Sequence, residues 1–432
     1  MYEIVSIIIS AVLFIVIMVI FTNERIDYVA FTLLSAVIAC VITGTIFGVG
    51  FTEFLTFIEF EPLFFIICMQ IIVAIMEDHK IFRWLVLKTI HWTKADHRKF
   101  FFLICFIACM TSAIISDIMV GIIFVPLVIR ACKILKINPA PYLFGLSFTI
   151  NIGSMYTPFS SSENILIANA FSLNFAYFIT NFSLIVIPTL IYTLFLIDFT
   201  MLRKQEPPPE SYKKILLDIM NPNMIIVNKK KFIFNSIFFM GLIVGFIIVP
   251  EAYIVAVVGA VIMCLINRKN FTEILLKTDL KVITFFIGIF LLMGTMQING
   301  TFVYIGDLIE GFISDNPLIA AITVLLMISV LSGFLAQIPT ALVFITLMHN
   351  IYGIGQVPSL VIMAILLGIN IGSNFLPQGA ACDLVTLNLA EKNGVEDFNY
   401  NSLLKYGSVM TLIHLGVSII YLTLYSLFVP SF

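Results

Sequence analysis

Charge is scarce in this sequence. Asp, Glu, Lys and Arg make up 11% of its 432 residues, against about 25% in an ordinary soluble protein. With 61% hydrophobic residues and a mean hydropathy of +1.11, a soluble globular domain is excluded. No basic cluster is interleaved with aromatics, so nucleic acid is not expected as a partner. The five histidines form no HExxH or comparable ligand set, and none of the seven cysteines stands in a CxxC pair. No cofactor is therefore expected. Cys105 and Cys109, one helical turn apart, have the spacing to touch a soft metal or metalloid, but small apolar packing accounts for them more simply. The first residues carry neither a basic region nor an A-x-A site, so residues 4–22 are expected to stay as a span.

In place of charge there are apolar runs of about 20 residues, the length that crosses a bilayer as a helix. Spans are predicted at 4–22, 28–50, 62–77, 175–201, 232–249, 252–267, 281–298 and 403–429. Two longer blocks, 99–134 and 316–349, are broken by short polar stretches and read as re-entrant hairpins. Two more, 141–171 and 358–391, each carry a helix-breaking motif. A basic stretch at 79–97 holds both tryptophans, Trp84 and Trp92, and reads as a helix lying in the membrane interface. A polar linker, 203–231, contains Pro207, Pro208 and Pro209 and divides the chain into a first half, 1–202, and a second, 232–432.

The halves repeat. Asn151-Ile152-Gly153-Ser154 recurs as Asn370-Ile371-Gly372-Ser373, and a proline follows each at the same distance, Pro158 and Pro377. Met76 matches Met296, Phe82 matches Phe302, Ser112 matches Ser332 and Asp117 matches Gln337, each pair 220 residues apart. One register thus covers a span, an interfacial stretch, a hairpin and a motif helix, which points to an internal repeat. Gly allows unusual backbone angles and Pro removes an amide donor. Carbonyls freed at the breaks suit a cation, whereas amides and hydroxyls at Ser160, Ser161 and Ser162 suit an anion. A kinked helix would explain one copy; paired broken segments in two halves point to a substrate site.

Charge orients the chain. If each hairpin enters and leaves on one side, each half has five crossings and the second is inverted relative to the first. With the N-terminus outside, all 23 Lys and Arg fall in segments assigned inside, 23–27, 78–99, 130–140, 202–231, 267–281 and 391–405. The outside loops carry Glu53, Glu59, Glu61, Glu251, Asp307, Glu310 and Asp315 and no base. This is the positive-inside pattern, and it puts both termini outside with ten crossings.

The candidate substrate- and ion-binding residues lie at the tips and breaks. The first tip offers Ser112, Ser116 and Asp117; the second offers Ser332, Gln337 and Thr340, without charge. A carboxylate at membrane depth is a functional hypothesis, here for Na⁺ or a proton; the plainer role for Asp117 is a helix cap. The first break adds Asn151, Gly153, Ser154, Thr157, Pro158, Ser160, Ser161, Glu163 and Asn164. The second adds Asn370, Gly372, Ser373, Asn374, Pro377, Gln378 and Asp383. His414 is expected to pack, and Glu77 and Asp78 to be solvated. No Lys or Arg lies in this core, so an anionic substrate would rely on helix ends, amides, hydroxyls and a co-bound cation. Asp117, Glu163 and Asp383 instead favour a cation or proton step, and both readings stand.

The run Thr157-Pro158-Phe159-Ser160-Ser161-Ser162-Glu163-Asn164 resembles the T-P-I-G-N-P-Q-N segment of the citrate-transporter-like branch of the ion transporter superfamily. That branch includes arsenite permeases, sodium/proton antiporters and dicarboxylate carriers. The match holds at Thr157, Pro158 and Asn164. It departs at Ser160, Ser161, Ser162 and Glu163, where the family more often has Gly, Asn, Pro and Gln. Asn370 to Pro377 looks like the second-half counterpart, and Ser112 to Asp117 is similar to the family's S-A-x-x-D-N tip, with Ile118 replacing the Asn. The resemblance implies an all-α polytopic membrane protein of two inverted-topology repeats, each with a re-entrant hairpin and an interrupted helix. It also implies a scaffold part, a moving part and, by analogy, a homodimer.

The expectation is a secondary active transporter of the cell (plasma or inner) membrane. It would move a small anion or oxyanion, carboxylate- or arsenite-like, with Na⁺ or H⁺, the lipid bilayer being its other partner. The alternative within transport is a Na⁺/H⁺ antiporter. An ion channel would be expected to line whole helices with polar residues, whereas polarity here concentrates in two short knots. An enzyme is not expected, since no zinc-ligand motif appears and the acids lie in non-equivalent places.

Overall fold

The computed structural model describes residues 2–21, 27–249, 251–276, 278–335 and 337–428. Arg25 of the 23–27 segment, Lys277 and Ala336 of the second tip lie outside the described residues. Among the described residues every regular element is helical.

The first half runs α1 (Tyr2–Phe21), α2 (Tyr28–Phe47), α3 (Phe60–Asp78), α4 (Ile81–Trp92), α5 (His97–Ser112), α6 (Asp117–Leu135), α7 (Ala140–Ser154), α8 (Ser162–Ala170) and α9 (Phe175–Thr200). A linker helix, α10 (Glu210–Ile219), starts directly after Pro209, so the linker is partly ordered. The second half runs α11 (Lys229–Ile248), α12 (Ala252–Asn267), α13 (Leu280–Ile298), α14 (Thr301–Glu310), α15 (Pro317–Leu335), α16 (Gln337–Tyr352), α17 (Ser359–Gly372), α18 (Ala381–Lys392) and α19 (Tyr400–Phe428). Element order recurs down to a short helix after the second span, Phe51–Leu55 in one half and Phe271–Leu275 in the other. Among the described residues nine helices are long and apolar enough to cross a membrane, which makes this a polytopic membrane protein. Two of the nine, α6 and α15, fall in the blocks expected to be re-entrant hairpins.

Local chemistry sets the helix ends. Asp27 caps α2 by accepting from the Val29 and Ala30 amides, Asp96 caps α5 through the Lys99 amide, and Asn174 caps α9 through the Tyr177 amide. The turns into α4 and α14 share one device, a single left-handed residue, Lys80 at φ 60° and Gly300 at φ 78°. Glycine takes that conformation freely, whereas Lys80 bears a steric cost.

Helices in lipid associate by close packing rather than by expelling water, so small residues mark their contacts. Both hairpins lean on their own motif helix this way, α5 on α7 and α15 on α17. The halves then interlock. The second arm of each hairpin packs on the resumed helix of the other half, α6 on α18 and α16 on α8. Away from the hairpins α3 packs on α12, and α2 packs on α13.

The basic segments meet at one end of the bundle. Arg98 grips the buried Asp198 with two bonds, Nε to Oδ1 at 2.9 Å and Nη2 to Oδ2 at 2.6 Å, and Arg203 adds a third at 3.0 Å. Lys133 Nζ donates to the Asn393 carbonyl at 2.7 Å, and Lys269 pairs with Asp78 at 2.8 Å. Glu77 pairs with Arg83 and, at 3.9 Å, with Lys80. Asp78 is exposed, as expected, and also ion-paired, whereas Glu77 is half-buried within its pairs. Helix α4 buries Phe82, Val86 and Ile90 and leaves Trp92 largely exposed, with Lys88 Nζ about 6 Å from both indole rings.

Candidate functional site

The two interruptions face each other inside the bundle. Helix α7 ends at Ser154, the chain turns through Pro158, and Ser161 caps the resumed α8 by accepting from the Asn164 amide. In the second half α17 ends at Gly372, a short turn spans Ser373–Phe375, and α18 starts at Ala381 beyond Pro377. Two carbonyls freed by the first break are taken up by side chains. Those of Ser154 and Thr157 accept from Asn164 Nδ2, at 2.7 and 3.3 Å, and also from the Ser160 hydroxyl. Unpaired carbonyls at that depth would each cost several kcal/mol, which explains why side chains take them up.

Each motif asparagine reaches across to the other half. Asn151 Nδ2 donates to Asn374 Oδ1 at 2.7 Å and lies 3.4 Å from both Asp383 oxygens. Asn370 Nδ2 donates to Asn164 Oδ1 at 3.0 Å. Asp383 and Asn164 are 219 residues apart, the spacing of Asn370 and Asn151, so the contacts are equivalent. Ser154 Oγ adds a 2.8 Å bond to Asn370 Oδ1. The tip serines are equivalent as well. Ser112 Oγ donates to the Ile150 carbonyl at 2.9 Å, and Ser332 Oγ to the Ile369 carbonyl at 3.3 Å. At the second tip Gln337 Nε2 donates to Ser373 Oγ at 3.1 Å, and Thr340 is buried.

The equivalence fails in charge. Asp117, Glu163 and Asp383 each lie in the first turn of a helix, α6, α8 and α18, and all three are buried. Asp117 interacts electrostatically with both other carboxyls, and all three act on the Cys382 thiol. None forms an ion pair with Lys or Arg among the described residues. Nor do the described residues contain three or more His, Cys, Asp or Glu side chains arranged to hold a metal ion. The trio shares a field rather than a coordination sphere. Glu163 Oε1 has no hydrogen-bond partner among the described residues.

Asp117 is the first residue of α6 rather than its cap, which is Ser116; Asp117 Oδ1 accepts from the Ile118 amide at 2.8 Å and from Ser116 Oγ at 3.3 Å. The Asp117 amide donates to the Ser160 carbonyl at 3.3 Å, joining tip to break. Thr157 Oγ1 also bonds the tip, at the Ala113 carbonyl. Gln378 stands apart, with Oε1 accepting from the Tyr400 hydroxyl at 2.9 Å. Ser147 and Cys382 belong to the cluster although no motif marks them. Ser147 Oγ donates to Asp383 Oδ1, and Cys382 Sγ to Asn151 Oδ1 at 3.0 Å. The available signal for Ser147 is its place one turn before Asn151 on the same helix face. His414 Nε2 meets Thr193 Oγ1 at 3.0 Å, whereas its buried Nδ1 has no partner among the described residues. Cys105 and Cys109 are buried and free.

Comparison with known proteins agrees with this architecture. The profile of the family described as citrate transporter matches residues 1–368. A 46 kDa membrane protein of Mycobacterium leprae is 21% identical over 378 residues, covering 85% of this chain and 87% of its own. An arsenical pump membrane protein of Escherichia coli is 24% identical over 370 residues, covering 83% of this chain and 85% of its own. The efflux pump MtrF of Neisseria gonorrhoeae shares the fold at a TM-score of 0.57 and 13% identity, over 89% of this chain and 83% of its own. The matched profile takes in both hairpins and the first break and ends within α17, and on that ground the chain belongs to the citrate transporter family.

Proposed function

We propose that the protein is a secondary active transporter that moves a small anion or oxyanion, carboxylate- or arsenite-like, together with Na⁺ or H⁺. The observation that carries this is the acid trio in the first turns of α6, α8 and α18, without a Lys or Arg partner among the described residues. A buried carboxylate must be paired or neutralised. No protein base does so here, so a bound cation or proton completes the site in each cycle. The amides of Asn151, Asn164, Asn370 and Asn374 donate to one another and to the breaks here, and exchange of those bonds, with the surrounding hydroxyls, would supply donors for substrate oxygens. A net negative site disfavours a bare multiply charged anion, which therefore enters with its cation or in protonated form. The second reading, Na⁺/H⁺ antiport, is favoured by the same three acids and needs no organic substrate. Neither reading calls for enzymatic chemistry. A channel reading is disfavoured because polarity gathers at the breaks.

Uptake into proteoliposomes across a panel of carboxylates and oxyanions, with Na⁺ and pH gradients varied separately, tests this. Accumulation of one substrate class under one gradient is expected. Ion exchange with no effect of any substrate would favour antiport. Downhill flux that neither gradient drives would sink both readings.

The reading includes two inverted repeats in a cell membrane, both termini outside and the basic end inside, with a homodimer as the working assembly. Single-cysteine labelling tests the orientation. Positions 136 and 214 are expected to react only with reagent admitted to the inside. Labelling of either from outside would overturn the orientation.

A further inference from the structure

Phe159 follows Pro158 directly, between α7 and α8, and its ring sits at the centre of an aromatic cluster. It stacks on Phe65 of α3 at 5.2 Å between centroids and on Phe175 of α9 at 5.8 Å. It also lies 4.5 Å from Phe246 of α11, which is 5.7 Å from Phe65. All four rings floor a cavity of about 480 Å³. Glu61, Asn169, Ser172, Asn174 and Glu251 stand among its other lining residues, with no Lys or Arg. Glu61, Ser172, Asn174 and Glu251 are exposed. The cavity lies where α3 and α9 begin and α11 ends, opposite the basic end of the bundle.

The acid trio lies just beyond the rings. Ser160, the next residue in the chain, is fully buried and accepts from the Asp117 amide, and Glu163 follows one turn later. Phe159 itself is only 9% exposed. An acid-rimmed cavity and a buried acidic site are thus separated by one residue of an interrupted helix and the rings it touches.

We infer that the cavity is the outer vestibule for the coupling cation and that Phe159 is the gate closing it off from the carboxyl trio. The inference rests on the transport reading and deepens it by assigning a route. The two rim carboxylates raise the local concentration of cations. The rings offer a hydrated ion no hydrogen bonds, so the cluster is a barrier while stacked. Phe159 rides on the interrupted segment, whereas Phe65 and Phe246 belong to α3 and α11. Displacement of that segment against those helices unstacks the cluster and opens the path.

Cys382 is a built-in reporter, buried against Asn151 among the three acids. In a protein whose other six cysteines are replaced by alanine, the membrane-impermeant quaternary cation methanethiosulfonate ethyltrimethylammonium is added to one face at a time. Ser172→Cys, in a separate preparation, identifies the vestibule face. Phe159→Ala is expected to speed Cys382 labelling from that face by about tenfold or more, because lost aromatic contacts shift the opening equilibrium. Phe246→Ala on the opposite wall is expected to act in the same direction. Phe159→Leu replaces Phe159→Ala if the latter is not recovered folded. The thiol is the same throughout, so the rate ratio reads access alone. Parent-like rates in the gate variants, or acceleration from the other face only, would overturn the gate. Labelling requires no transport, so a failed uptake panel beside accelerated labelling would reject the transport reading and leave the gate standing.

Discussion

Asp117→Asn is expected to abolish gradient-driven accumulation while leaving the folded protein and its membrane insertion intact. The second half holds the control, since the equivalent position is the neutral Gln337, whose amide bonds Ser373 of its own motif. A neutral amide is therefore compatible with this fold at a hairpin tip. Asn also keeps an oxygen to accept from the Ile118 amide and the Ser116 hydroxyl, the two bonds that Asp117 Oδ1 makes. What it removes is one negative charge at the centre of the trio. Each cation moved across 100 mV gains about 2.3 kcal/mol, enough for roughly fiftyfold accumulation per coupled charge. The measurement is uptake under an imposed Na⁺ or pH gradient, set beside gradient-free exchange of labelled substrate. The expected outcome is collapse of the concentration ratio to about one, with exchange retained. Accumulation with unchanged ion dependence would reduce Asp117 to a helix-start residue and make Glu163→Gln the next variant to measure.

Much of the architecture was legible because it is written in local and repeated signals. Capping residues, apolar length and the twin Asn-Ile-Gly-Ser motifs depend on neighbours in sequence. The hairpin limits, 99–134 and 316–349, fall within a few residues of α5–α6 and α15–α16. The internal register also extends further than matching residues alone reveal. Lys80 and Gly300 share no chemistry, but both take the left-handed conformation before a short helix, α4 or α14. Composition does not report backbone geometry, so that match was invisible in the residue types.

The site was legible in parts but not as a whole. Asp117, Glu163 and Asp383 each stood out as intramembrane acids, but Asp117 and Asp383 come together only because α6 packs on the other half's α18. No periodicity encodes that contact. Carbonyls freed at the breaks suit a cation by sequence, and two of them, those of Ser154 and Thr157, accept from Asn164 and Ser160 in this conformation. Gln378 was grouped with the break by proximity in sequence, whereas its side chain turns to Tyr400. The four phenylalanines of the proposed gate come from four separate elements, so sequence pattern could not have assembled them.

Gly153→Ala and Gly372→Ala are expected to be the most destabilising single-methyl changes in the core, although alanine is the better helix former. A Cβ at Gly153 would lie 2.1 Å from the Cys109 carbonyl oxygen and 2.2 Å from Ser112 Oγ. One at Gly372 would lie 2.3 Å from Ser329 Cα and 2.4 Å from its carbonyl oxygen. These neighbours are chiefly backbone, so no rotamer change relieves the clash and each hairpin must move off its motif helix. Separation of α5 from α7 would break the Ser112 bond to the Ile150 carbonyl. Separation of α15 from α17 would weaken the Ser332 bond to Ile369 in the same way. Overpacking of this kind costs about 1–3 kcal/mol, and the lost buried hydrogen bond adds about 1 kcal/mol more. Gly241→Ala is the matched control, because its Cβ meets nothing within 4 Å on the exposed face of α11. Thermal unfolding in detergent, followed by the monodisperse fraction on size exclusion, is expected to fall by several degrees for the two motif glycines and to stay level or rise for Gly241→Ala. Parent-like melting of Gly153→Ala and Gly372→Ala would mean that the hairpins are not seated on the motif helices as described. The close approach that holds the tips against the acidic cluster would then have to come from elsewhere.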